Sequence, residues 1–99
     1  MSKPISTTCN QRFADIHGLK IGQVKYLKGL ISKYARCWVD WNNNAGRATP
    51  IRAQQLKNME RRAWENADAY AKKLGFEPDW GVGLWPTLRK DGTDYHLPD

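Results

Sequence analysis

The sequence predicts a mainly α, α+β fold in one small domain spanning residues 1–99. The architecture is an antiparallel helical hairpin with a short N-terminal helix before it and a C-terminal β-hairpin after it. Three observations carry this reading. Val24, Leu27, Ile31, Tyr34, Trp38, Trp41 and Ala45 recur at alternating steps of three and four, which keeps them on one stripe of an α-helix. A second stripe, Leu56, Met59, Ala63, Ala67, Tyr70 and Leu74, follows Thr49-Pro50. That pair is an N-cap with proline at the first helical position, where its missing N–H costs nothing. The chain then closes on two short segments around Asp91-Gly92, the dipeptide that a type I′ hairpin turn asks for.

Taken in order, residues 1–8 (MSKPISTT) are polar with an early proline and read as a flexible arm. Thr8 to Gln11 has capping-box spacing, so a short helix is expected from Cys9 or Asn10 to His17. Cys9, Phe13 and Ile16 would lie on its packed side, and Gly18 would stop it. The long helix is expected from near Ile21 to Gln23 as far as about Asn43. Asn42, Asn43, Asn44 and Gly46 tolerate the left-handed conformation that ends a helix, and a turn over Asn43 to Ala48 reverses the chain. Gly29 lies off the apolar stripe, where glycine costs about 1 kcal/mol relative to alanine. It marks a close backbone approach or nothing.

The next helix runs to Leu74, with Gly75 at the cap and Phe76 able to fold back in a Schellman contact. Its small Ala63 and Ala67 are matched to Trp38 and Trp41 across the hairpin, large opposite small, at an axis separation of about 8–10 Å. Arg61 to Glu65 and Asp68 to Lys72 are i, i+4 ion pairs. Residues 9–75 thus form the helical part, and residues 76–99 a linker and β-hairpin. Glu77 to Gly83 is built from breakers and reads as the linker, and Leu84 to Arg89 reads as a strand. The Asp91-Gly92 turn sets Leu88 opposite Tyr95 and Pro86 opposite Leu97 on an apolar face. Thr87 then opposes His96, and Arg89 opposes Asp94 as a cross-strand ion pair. Pro86 marks an edge strand at that point. A lone ribbon is marginal, so the Leu88/Tyr95 face should pack on the helices.

Five tryptophans, four tyrosines and two phenylalanines supply the burial that a 99-residue domain needs. The net charge of +6 is unevenly spread, with fourteen cations against five anions in residues 1–75 and two against five in residues 76–99. A polyanion or an acidic protein surface fits such a balance, although solubility alone also explains it. The N-terminus lacks the apolar run of a signal peptide and no stretch of about 18 apolar residues occurs, which predicts a cytoplasmic location. Cys9 and Cys37 read as reduced thiols, Cys37 as a small buried hydrophobe.

No catalytic, metal or cofactor site is expected. His17 and His96 have no Ser, Cys or carboxylate neighbour in a catalytic arrangement. No cysteine or histidine spacing suits a metal. Gly81-Val82-Gly83 resembles half of a dinucleotide fingerprint but precedes a strand instead of opening a helix.

Two patterns point to binding. Ala14, Gly18, Leu19, Val24 and Leu27 follow helix-turn-helix spacing. That would bring Lys20, Ile21, Lys25 and Tyr26 to the major groove and Lys28 to phosphate. His17 stands where that pattern usually has an apolar residue, Ile21 where it has a polar one, and no third helix precedes the pair. The other pattern is a basic face of Lys25, Lys28, Lys33 and Arg36 on one helix and Arg52, Lys57, Arg61 and Arg62 on the next, for phosphates or an acidic groove. A solvated helix face is its bland counterpart. Trp80 and Trp85 in the tail would anchor a protein contact, or else dock on the parent helices. Lys25, Lys28, Lys33, Arg36, Arg61, Arg62, Trp80 and Trp85 are therefore the candidate partner-binding residues. A core too thin for Trp38 and Trp41 would turn the same stripe to a dimer.

The hairpin segment RATPIRAQQLKNMERRAWENA together with the closing GLWPTLRKDGTDYHLP resembles small accessory proteins of tailed phages and prophages. The strand of Gly, hydrophobe, aromatic and Pro, the Asp-Gly hairpin and the terminal Leu-Pro carry the likeness. The resemblance implies a non-enzymatic inhibitor or modulator in the host–virus interaction. Its partner would be nucleic acid or a host complex that processes it, such as a RecBCD-type nuclease, a CRISPR complex or a polymerase. The basic charge excludes a nucleic-acid mimic, which would be acidic.

Overall fold

A computed structural model of the chain describes residues 5–6, 9–44, 46–81 and 85–98. Along the chain run β1 (Ile5–Ser6), α1 (Asn10–His17), α2 (Ile21–Asn44), α3 (Pro50–Lys73), β2 (Glu77–Asp79), β3 (Thr87–Lys90) and β4 (Thr93–His96). Three helices dominate, and the strands form one small sheet.

Local chemistry accounts for most helix ends. Gly18, at φ 65°, caps α1 by donating its N–H to the carbonyls of Ala14 and Asp15. The start of α1 differs from expectation. Its N-cap is Cys9, without a side-chain cap bond. That puts Gln11 at the second helical position, out of phase with the Thr8–Gln11 box, and its Nε2 donates to Asp15 instead (2.8 Å). Thr8 itself lies outside the described residues. The packed side is also rotated: Phe13 and Ala14 are buried, while Cys9 is exposed and Ile16 is 50% exposed. At the start of α2, the Lys20 N–H donates to Oε1 of Gln23 (2.9 Å), the returning half of a capping box.

The α3 boundaries follow the sequence closely. Thr49 Oγ1 accepts from the Arg52 N–H (3.2 Å), and Pro50 opens the helix. At the far end Gly75 adopts φ 96°; its N–H donates to Lys72 O and that of Phe76 to Ala71 O, both 3.0 Å, which is the Schellman pair.

The core lies at the base of the hairpin. Phe13, Ala14, Val24, Leu27, Ile31, Ala67, Ala71, Phe76 and Leu88 form one buried cluster, flanked by Leu19, Tyr70, Trp80 and Tyr95 among others. Only the first part of the α2 stripe is core. Trp38 is 39% exposed, Trp41 is half-buried, and Ala45 lies outside the described residues. The expected match of these tryptophans to Ala63 and Ala67 is not made. Antiparallel helices pair residues equidistant from the turn, and Ala63, thirteen residues into α3, falls opposite Ile31, thirteen before the end of α2. On α3 the buried stripe is Leu56, Glu60, Ala63, Ala67 and Ala71, whereas Met59, expected inside, is 50% exposed. Asp68–Lys72 forms at 2.9 Å; among the described residues Arg61–Glu65 does not, and Lys57–Glu60 (2.8 Å) appears instead.

The sheet has the order β1-β4-β3-β2. Strands β3 and β4 pair antiparallel as Leu88–Tyr95, Arg89–Asp94 and Lys90–Thr93, the expected register. Both turn residues have positive φ, Asp91 at 52° and Gly92 at 77°, as type I′ requires. The ladder ends short of the expected Thr87–His96 and Pro86–Leu97 pairs. Leu88 is fully buried against the helices, and the Arg89 Nε–Asp94 Oδ1 contact is 2.9 Å.

Three expectations are corrected. Part of the linker, Glu77–Asp79, is a strand antiparallel to β3, so β3 is internal, begins at Thr87 and not Leu84, and leaves Pro86 outside it. Pro78, which cannot donate to a ladder, stands on the edge strand β2. Ile5–Ser6, expected within the arm, pairs parallel with β4 and covers the free edge of the hairpin. Residues 82–84 lie outside the described residues.

Candidate functional site

The half of the hairpin away from the core is built as surface. Residues 33–62 carry seven cations against two anions, nearly the whole net charge of the chain. Apolar side chains there are left in solvent: Trp38, Val39, Ile51 and Met59 are all exposed. Trp41 lies under Lys57, whose Nζ is 4.7 Å from the ring centroid and also bonds Glu60 Oε2 at 2.8 Å. Nearby, burial and then the Glu60 carboxylate push the Tyr34 phenol above its ordinary value, with Lys57 opposing.

The candidate residues divide by surroundings. Lys25, Lys33 and Arg36 are exposed on α2, and Arg36 shares a shallow groove with Ala35, Val39 and Asp40. Lys28 is half-buried, and its Nζ donates to Asn10 Oδ1 (2.9 Å), tying α2 to α1. Arg61 and Arg62 are exposed on α3, and Arg62 lines a groove with Arg52, Gln55, Asn58 and Met59. Trp80 is docked on the parent helices, the alternative weighed for it. Its Nε1 donates to Asp68 Oδ1 (3.0 Å), and its ring packs on Tyr34 and Trp64 at centroid distances of 5.3 and 6.0 Å. Trp85 is 46% exposed. The eight residues therefore do not form one patch: the cations share the hairpin, Trp80 belongs to packing, and Trp85 stands apart beside the sheet.

No family model, curated protein or solved structure matches this chain. Function is argued from geometry and chemistry alone.

The helix-turn-helix positions are arranged as that spacing requires at its core. Ala14, Val24 and Leu27 are buried, Gly18 is left-handed, and Leu19 packs on the cluster. Lys20, Ile21, Lys25 and Tyr26 are exposed, though the Tyr26 ring meets Tyr70 of α3 edge-on at 4.8 Å. His17, the departure from the pattern, is used as an aromatic. Its ring lies 4.5 Å from Phe13, 4.9 Å from Phe76 and 4.4 Å from Tyr95. Nε2 is buried without a hydrogen-bond partner, and burial, then Lys90, lowers the imidazole pKa.

A second stripe of α3 escaped the sequence reading. Arg52, Gln55, Met59, Arg62, Asn66 and Lys73 are exposed and line two successive shallow grooves along the hairpin. The signal was present as three- and four-residue spacing of cations and amides, but Met59 had been given to the core. Among the described residues, no helix is long and apolar enough to cross a membrane.

Proposed function

We propose that the chain is a non-enzymatic, phage-type binding protein that acts in the cytoplasm of a host on a nucleic-acid-processing complex, such as a RecBCD-type nuclease or a CRISPR complex. One observation carries the reading: the distal hairpin concentrates seven cations against two anions while leaving Trp38 and Met59 in solvent. Such a surface is costly to keep unless it meets a partner, and its charge selects an anionic one. Affinity capture from a bacterial lysate, with and without nuclease, tests it. Components of one nucleic-acid-processing complex should be recovered with the wild-type chain and lost with Arg36→Glu/Arg61→Glu/Arg62→Glu. Recovery of no such component under either condition refutes it.

A second reading, a small basic helix-turn-helix DNA-binding protein, is favoured by the burial of Ala14, Val24 and Leu27 around a left-handed Gly18. In that reading Lys20, Lys25 and Tyr26 make the groove contacts. Lys25→Gln would then abolish duplex binding, and retained binding would exclude it.

A further inference from the structure

We propose that the outer stripe of α3, Arg52, Gln55, Met59, Arg62, Asn66 and Lys73, docks in the major groove of double-stranded DNA. The inference rests on the reading above, that the partner is nucleic-acid machinery, and names the part of it that this chain touches. The stripe recurs at steps of three and four with one step of seven, so it forms one band along the 24-residue helix. From Arg52 to Lys73 it spans about 32 Å at 1.5 Å per residue. All six side chains are exposed.

No carboxylate among the described residues pairs with its three cations; the ion pairs are Lys57–Glu60, Lys72–Asp68 and Arg89–Asp94. The acids of α3 are used or turned elsewhere. Glu60 is buried with Lys57, Asp68 holds Trp80 and Lys72, and Glu65 lies about 60° round the helix from Arg62 at 100° per residue. The only side-chain bond within the stripe is a long one, Arg52 Nη1 to Gln55 Oε1 at 3.4 Å. The cations are thus free to meet phosphates.

The order of residue types selects the occupant. Cations stand at both ends, where a helix crossing a groove about 12 Å wide reaches the two backbones. Between them lie Gln55, Arg62 and Asn66, whose amide and guanidinium edges match adenine and guanine, and Met59, an apolar contact for a thymine methyl. Single strands need aromatic platforms, and the stripe has none. The major groove of A-form RNA is too narrow for a helix. A protein interface would deplete charge at its centre, where Arg62 stands, and a second copy would set cation against cation.

Fluorescence anisotropy on a short labelled duplex, titrated with salt, tests the assignment. The wild type should bind with an affinity that falls steeply with salt. Arg52→Gln/Arg62→Gln/Lys73→Gln should lower affinity at least tenfold and reduce the log–log salt slope by about three, one per lost phosphate contact. Lys25→Gln/Lys33→Gln/Arg36→Gln removes the same charge from α2 and should change the slope by less than one. Gln55→Ala/Asn66→Ala should flatten discrimination among duplex sequences while leaving the slope unchanged. All are surface positions, and far-UV circular dichroism checks that each variant is folded.

Equal losses from the α2 and α3 triples would mean net charge alone and overturn the assignment, as would tighter binding to the single strand or none to the duplex. A nuclease-resistant protein partner recovered without duplex binding overturns this inference and leaves the proposed function standing. Absence of both overturns the two together.

Discussion

Adding one methyl group at Gly29 and at Gly75 should move stability in opposite directions, for reasons that lie in the backbone and not in the space available. A Cβ built at either position meets no heavy atom within 4 Å. Gly29 sits inside α2 with ordinary helical geometry, so Gly29→Ala removes the entropic penalty of glycine and stabilises by about 0.5–1 kcal/mol. Gly75 has φ 96°, and there a β-carbon strains the backbone by about 1–2 kcal/mol. The strain falls on the Schellman pair that directs Phe76 into the core. For a domain of this size 1 kcal/mol corresponds to roughly 4–8 °C in Tm. Thermal melts by circular dichroism at one protein concentration should therefore show Gly29→Ala above the wild type by about 2–8 °C and Gly75→Ala below it by about 4–16 °C. A lower Tm for Gly29→Ala would mean that another backbone approaches that face of α2. An unchanged Tm for Gly75→Ala would refute the left-handed helix end.

Acid should weaken the fold through His17. Its folded pKa is lowered from 6.5, so the unfolded chain takes the proton first. Stability is fully present above that value and is lost as pH falls below it; His17→Phe, which keeps a ring among Phe13, Phe76 and Tyr95, should flatten the decline between pH 7 and 5 in urea titrations. Leu88→Ala should cost about 2–5 kcal/mol, against about 0.5 kcal/mol or less for Met59→Ala, and similar urea midpoints for the two would return Met59 to the core. Trp80→Phe should cost about 0.5–1.5 kcal/mol, and its effect should vanish in an Asp68→Ala background if the Nε1–Oδ1 bond is what Trp80 supplies beyond packing.

Elements whose cause is local were legible in the sequence. Thr49-Pro50, Gly75-Phe76 and Asp91-Gly92 each act through backbone geometry within a few residues, and each appears where its chemistry places it. The hairpin register followed, because one turn type settles every pairing between β3 and β4. What failed depends on neighbours far along the chain. Whether Met59 or Glu60 faces inward is decided by the crossing of α2 and α3, and both residues fit a helical period. The β2 strand exists because β3 offers a free edge, which nothing in Glu77-Pro78-Asp79 announces. Trp38 illustrates the limit most plainly. Periodicity put it on the stripe of Ile31, but burial requires a partner, and the sheet and α1 cover only the base of the hairpin. The candidate site was legible as charge and not as a face, since the cations of α2 and α3 are spread around both helices.

The acidic tail gives that charge a direction. Within residues 76–99 five acids face two cations, and they gather in the sheet: Glu77 pairs in register with Arg89, which also bonds Asp94. These carboxylates, Asp94 first, raise the pKa of the Arg89 guanidinium, so its charge is already matched within the fold. Phe76 and Leu88 fasten the sheet to the hairpin base, at the opposite end of α3 from Arg52. A polyanion is consequently drawn to the distal hairpin and repelled from the sheet, an orienting effect that acts before contact and weakens with salt. The same division answers why a small domain spends two 24-residue helices on a core that uses about half of them. The base folds the protein, and the remainder holds a rigid cationic helix pair at a distance from the acids that would otherwise neutralise it.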